Sequence, residues 1–341
     1  MHLFRFGCMM TDCANGSETN RHMSVIPQNF LKHIPSCRLV LSGAANIDRT
    51  GWLDAPSAMG CSNPGRFDET PGGTALNVAS VVAALGVKPE LVSLVAQDSA
   101  GLGLRAELKA RGVDAYVDGP TRANTGTYTC VIEPDGSLLI GLADMAIFDG
   151  FSAQLAVGRT ESLTAEGWIC VDTNLPPREL SKLLQKSGSA KKIGLTVSKA
   201  KAPRLKAFAD QLDLVFTNRV EAGALCGFDD ETTKSASNDT LAQALAETGV
   251  VSAVITDGTD DVAVVEYGEV HMLKVRPVKH VADVTGAGDA LVGASLYGLM
   301  CGVPLVKAVE IGIKAAQATI QSKGAWRSDL ARLIGLPGRS K

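Results

Sequence analysis

Aromatic side chains make up only 5% of this 341-residue chain, and it contains no CxxC pair, no basic run and no long apolar stretch. Each shortage excludes something. With so few aromatics, broad stacking platforms are not available. With 33 Lys and Arg against 36 Asp and Glu, the net charge of −3 offers no basic face for a phosphate backbone, so no nucleic-acid partner is expected. No segment approaches the roughly 20 consecutive apolar residues of a membrane span, so no membrane partner is expected either. The eight cysteines (Cys8, Cys13, Cys37, Cys61, Cys130, Cys170, Cys226, Cys301) fall singly, the later ones mostly in apolar runs such as "GWICVD". The five histidines have no ligand spacing with them. Free thiols in a reducing, cytoplasmic compartment are expected, and a structural zinc site is not.

What the chain has is glycine, 35 of them, and an alternating rhythm. Residues 1–36 lack periodicity and read as a disordered extension; the domain is expected over 37–335. "CRLVLSGAANID" is a buried strand delivering a loop, and "GGTALNVASVVAALG" is a glycine pair opening an apolar helix. "PELVSLVAQD" and "GLGLRAELKARG" repeat strand and helix, and "GWICVDTNL", "KKIGLTVS", "LDLVFTN" and "VSAVITDG" continue the series. Such alternation predicts an α/β fold with a mostly parallel sheet covered by helices on both faces. Two segments interrupt it. Residues 49–71 are polar and turn-rich, and "TGTYTCVIEPDGSLLIGLADM", within 125–146, reads as a hairpin around Pro-Asp-Gly. Together they predict a small antiparallel sheet beside the main one. Near the end, helices are expected from Asp289 to Met300 and from Pro304 onward, and "DDETTKSASND" reads as the most linker-like stretch.

The densest local signal is "DVTGAGD". Its glycines turn the backbone sharply into a helix start, where N–H groups and the helix dipole favour an anion. A carboxylate there, Asp289, is a poor ground-state partner for a phosphate. It suits a base that takes a proton from a hydroxyl attacking a phosphoryl group. An isolated acid in a first turn more often only balances the dipole, worth roughly 0.3–1 kcal/mol.

The surroundings favour the chemical reading. From about Cys37 to Ala325 the chain resembles the ribokinase-like (PfkB) carbohydrate and nucleoside kinases. "DVTGAGD" matches their C-terminal signature and "PGGTALNVASVVAALG" their N-terminal one. The resemblance implies a three-layer α/β/α fold with a β-sheet lid, and ATP with Mg²⁺ as requirements. It implies Asp289 as base and the Gly286, Ala287 and Gly288 N–H groups as an anion hole. Asp48, Asn46, Gly72, Gly73 and Asn77 would hold the acceptor, with Thr127 of the lid. "TNRVEAG" implies Asn218 at the nucleotide and Glu221 at Mg²⁺ through water; read alone, the same pair is a capping box. Thr256 and Gly258 would also meet ATP, although Asp261 stands where the family usually carries glycine. Asp283 and Thr285 match a K⁺ site, or a loop-fixing pair.

Several segments, "GAANIDRTG", "SNPGRFDETPGG", "VDTNLP" and "VSKAKAPRL" among them, are similar to pseudouridine kinases of that family. The expected activity is therefore phosphorylation of the 5′-hydroxyl of a free nucleoside, pseudouridine, with a homodimer formed through the lid. Inosine, cytidine, ribose or a hexose are alternative acceptors. A non-catalytic nucleoside sensor would be expected to lack Asp289 or the glycines. A dinucleotide oxidoreductase would need a G-x-G-x-x-G after the first strand, where the chain reads "SGAANID".

Overall fold

The computed structural model describes residues 34–117, 119 and 122–336; the expected extension lies, but for 34–36, outside the described residues. Among the described residues, thirteen strands form two sheets. In chain order they are β1 (Leu39–Ser42), β2 (Asn46–Leu53), β3 (Gly65–Gly72), β4 (Glu90–Ser93), β5 (Asp114–Val117), β6 (Thr127–Ile132), β7 (Leu138–Asp144), β8 (Trp168–Asp172), β9 (Lys191–Leu195), β10 (Leu214–Asn218), β11 (Ser252–Thr256), β12 (Val262–Glu266) and β13 (Glu269–Leu273). The helices are α1 (Thr74–Ala84), α2 (Ser99–Ala110), α3 (Val157–Thr160), α4 (Pro177–Lys186), α5 (Arg219–Cys226), α6 (Asp230–Ser235), α7 (Asn238–Glu247), α8 (Ala287–Met300), α9 (Leu305–Thr319) and α10 (Leu330–Leu333).

The large sheet runs β13-β12-β11-β10-β9-β8-β1-β4-β5, parallel from β5 through β11 and antiparallel at β12 and β13. Its central strands are apolar without alternation because both faces are covered: every residue of "WICVD" in β8 and "LVLS" in β1 is buried. The period of two still decides where each side chain goes. Leu39, Leu41 and Cys170 join a core with α1, α8 and α9, whereas Val40, Ile169 and Val171 join one with α4, α5 and α7. Helix α8 is apolar nearly all round, being packed between α1 and α9 as well as against the sheet. Burying Leu291, Leu296 and Leu299 contributes roughly 1.5–3 kcal/mol apiece.

The small sheet runs β3-β2-β6-β7. The expected hairpin is β6–β7, and the turn-rich segment is framed by β2 and β3. The sheet is mixed rather than antiparallel, because β2 and β6 pair in parallel. The linker-like stretch is also corrected: Asp229 caps α6 through the Thr232 N–H, and Ser237 caps α7 through Thr240. Ser, Thr and Asp made it read as loop, but each sits where a helix start uses its oxygen. Pro304 caps α9 from outside rather than opening it.

Candidate active site

Strand β1 has β4 on one side and β8 on the other, so the chain reverses its direction of winding there, and the carboxyl ends of the strands part to leave a crevice. The sequence-predicted residues gather at that edge. From β1 the chain crosses three residues into β2, which brings Asn46 and Asp48 onto the lid. The Asn46 side-chain amide donates to Asp48 at 2.7 Å. The Asp48 carboxylate lies against the backbone of β3, so close that a Cβ on Gly72 would fall 2.2 Å from its Oδ2. Burial pushes its proton affinity up, and Asn46 opposes this. Gly73 begins α1 with φ of 102°, and a Cβ there would strike the Ala44 carbonyl at 2.4 Å. One turn later Asn77, buried, donates Nδ2 to Asp289 at 2.8 Å. Its Oδ1 is buried with no hydrogen-bond partner, an acceptor that a hydroxyl would satisfy.

Asp289 occupies the first turn of α8. Protein crowds its carboxylate on most sides and one side faces the cleft. Desolvation, with Asn77 opposing and the charges of Asp48, Asp172 and Glu221 adding, pushes its pKa up to about 7. The helix is entered through Gly286 at φ 76°, where a Cβ would overlap Ala325 at 2.4 Å, and no side chain caps it. The Ala287 N–H donates to Val284 O at 3.3 Å, whereas Gly288 is exposed at a position whose N–H has no partner within a helix. The loop before it is fastened by Asp283, which accepts the N–H groups of Thr285 (2.8 Å) and Gly324 (3.0 Å). Burial works against ionisation of Asp283, but these bonds outweigh it and hold the carboxyl below its usual range. These two bonds fix the loop that leads into α8.

Strands β10 and β11 bring the other half of the site. Asn218 and Thr256 are register partners at their ends. Asn218 caps α5 by accepting the Glu221 N–H at 2.9 Å, the first half of a capping box. Glu221 also accepts the Thr196 hydroxyl, which in turn meets Thr217 Oγ1 at 2.9 Å. Burial raises the proton affinity of Glu221 against these bonds. Gly258 lies beyond, in a turn at φ 58°. Asp261 is paired with Lys274 at 2.7 Å. Thr196, Asn218, Glu221, Thr256, Gly288 and Asp289 line one cleft of about 190 Å³, whose lining among the described residues has two carboxylates and no lysine or arginine.

A family model, pfkB family carbohydrate kinase, matches residues 38–331. The chain belongs to this family. It is 27% identical to the pseudouridine kinase of Escherichia coli K12, over 86% of this chain and 93% of that one. A cytidine kinase from Thermococcus kodakarensis is 26% identical, over 84% and 98%. A ribokinase structure from Thermotoga maritima superposes with a TM-score of 0.71 at 20% identity, over 89% and 97%, which shows the ribokinase-like fold alone.

Within this pfkB kinase, one expected residue falls on the wrong side. Thr127 pairs with Ile47 and its hydroxyl donates to the Thr125 carbonyl at 3.2 Å. Tyr128 pairs with Asp48, and alternate residues of a strand face opposite sides, so Tyr128 shares the Asp48 face and Thr127 does not. The sequence reading also assigned no role to Thr196 or to Asp172, which is fully buried at the end of β8. A carboxylate closing a wholly apolar strand was the available signal, because such a charge needs N–H partners.

Proposed function

We propose that this kinase transfers the γ-phosphoryl group of ATP to the 5′-hydroxyl of pseudouridine. The observation carrying the reading is Asp289: a carboxylate with pKa near 7, bonded to Asn77, at the open start of α8. It takes the hydroxyl proton as the new O–P bond forms and the bond to ADP breaks. Gly288 and Gly286 supply N–H groups to the charge that develops, and Ala287 contributes less because its N–H is shared with Val284. Asp48, Asn46 and Asn77 hold the sugar hydroxyls, while the Gly72–Gly73 pair lets the ribose approach the backbone. Asn218, Thr256 and Gly258 border the nucleotide.

Among the described residues the cleft gathers carboxylates and no cationic side chain, so a polyphosphate entering it needs a counter-charge. Mg²⁺ held through water by Glu221 would supply it and neutralise the phosphate oxygens. A K⁺ ion beside Asp283, Thr285 and the 322–325 turn belongs to the same proposal, tested by comparing rates in K⁺ and Na⁺. So does a homodimer through the lid. Phe67, Ile140 and Leu142 share the outer face of that sheet and are 66%, 60% and 68% exposed, an apolar patch that a second copy would cover. Among the described residues no helix is long and apolar enough to cross a membrane.

The similarity to segments of pseudouridine kinases supports the acceptor; the cytidine kinase is the reason for testing others. ADP release from Mg-ATP is measured with pseudouridine, uridine, cytidine, inosine, ribose and fructose, with Asp289→Asn beside the wild type. Best turnover on pseudouridine, lost in the variant, is expected. Preference for another acceptor overturns the substrate assignment, and silence on all of them with nucleoside binding retained would make the chain a sensor.

A further inference from the structure

Asp172 lies in neither glycine-rich signature, only within "VDTNLP", and no role was expected of it, yet its carboxylate accepts three backbone N–H groups at the crevice. Oδ2 accepts the Ala44 N–H at 2.8 Å and the Ala75 N–H at 3.3 Å, and Oδ1 accepts the Asn174 N–H at 2.8 Å. One side chain thus joins the turn leading to Asn46 and Asp48, the first turn of the helix carrying Asn77, and the loop after β8. The fit is close: a Cβ on Gly43 would lie 2.2 Å from Oδ2 and 2.8 Å from the Ala75 Cβ. Burial raises its proton affinity, and the N–H groups of Ala44, Asn174 and Ala75 act against it.

The strand end that bears Asp172 is itself held from the other side. Thr173 N donates to Leu195 O at 3.0 Å, and Val197 N donates to Thr173 Oγ1 at 3.1 Å. Arg204 Nη1 reaches the carbonyls of Thr173, Asn174 and Leu175 at 3.1, 2.9 and 3.2 Å. Lys201 Nζ donates to Asn174 Oδ1 at 2.7 Å. The carboxylate is therefore a fixed reference point rather than a loose partner.

We propose that Asp172 is a positioning residue for the acceptor, setting the lid residues Asn46 and Asp48 against Asn77 and, through it, against Asp289. It touches neither reactant; it fixes the groups that do. The nucleotide side, on β10 and β11, makes no hydrogen bond to its carboxylate. A residue of general structural importance would affect both sides alike, and this distinction is measurable.

The inference rests on the kinase reading but not on which acceptor is turned over. Asp172→Asn keeps the shape but turns an NH₂ group toward N–H donors. Gly43→Ala leaves the charge and pushes the carboxylate aside. Each is assayed with the acceptor that wild type phosphorylates best. Both should raise the acceptor KM tenfold or more while the ATP KM stays within twofold. Amide hydrogen exchange should quicken at 44–48 and 74–77 and remain unchanged at 216–221 and 254–258. Unchanged KM values, equal changes in both, or loss of folding in both variants overturn the proposal. If wild type is silent on every acceptor, the kinase reading fails, and the exchange pattern, which needs no substrate, still decides the positioning role.

Discussion

Replacing Asp289 by asparagine should abolish turnover and, at alkaline pH, make the protein more stable. Its carboxyl is raised from 3.8 to about 7, chiefly by desolvation and then by the charges of Asp48, Asp172 and Glu221 against the Asn77 bond. A shift of this size corresponds to about 4 kcal/mol disfavouring the ionised form in the folded state. For an acid whose folded pKa lies above its unfolded value, the penalty is absent below pH 4. It grows as pH rises and is complete above about pH 7. Solvent on the cleft side screens part of it, so we expect about 2 kcal/mol, a few degrees in Tm, to be regained by Asp289→Asn at pH 8. The Asn77 bond survives, since the asparagine carbonyl can accept it. Denaturation of both proteins from pH 5 to 8.5 reads the effect directly. A stability gain that widens with pH is expected, together with a wild-type kcat/KM that falls on the acid side of about pH 7. A gain that is flat with pH, or no gain at all, would refute the argument that the base is held at an energetic cost.

Three further outcomes follow from the geometry. Gly286→Ala forces a Cβ into Ala325 at a φ of 76°, and should cost about 1–3 kcal/mol of stability and lower kcat at least a hundredfold; denaturation and initial rates measure the two. Thr196→Val leaves the Glu221 carboxylate one donor short and should destabilise by about 1–3 kcal/mol, while shifting the Mg²⁺ concentration needed for half-maximal rate. Leu142→Lys places a charge on the apolar outer face of the lid, and if the proposed lid dimer forms, sedimentation should show a dimer for the wild type and a monomer for the variant.

Much of the crevice was readable because its residues lie within short motifs whose spacing is itself the geometry. In "PGGTALN" the glycines, the helix start and Asn77 are one continuous object, and so are Gly286 and Asp289 in "TGAGD". What escaped needs two distant segments. Thr196 matters because β9 lies beside β10, bringing its hydroxyl to Glu221, 25 residues away. Asp172 matters because β8 lies beside β1, and its partner Ala44 is 128 residues distant. Thr127 was misplaced for another reason: one residue of register decides which face of a strand a side chain takes, and a hairpin motif alone does not set its register against β2. The antiparallel edge β12–β13 was not anticipated, although "VAVVEYGEVHML" carries its turn at Tyr267-Gly268, both with positive φ.

The root of the lid has a mechanical consequence. Strand β2 leaves the main sheet within three residues, and there Ala44 is bonded to Asp172, Ile47 to the Gly126 carbonyl, and Gly73 is pressed on Ala44. A flap attached in this way has no pivot at its base. It is expected to move as a diving board does, stiff where Asn46 and Asp48 sit and yielding toward the far end, near Leu53 and Gly65. Mutations that loosen the tip should therefore alter how fast molecules enter and leave, while the proposed grip of Asn46 and Asp48 on the acceptor stays as it is.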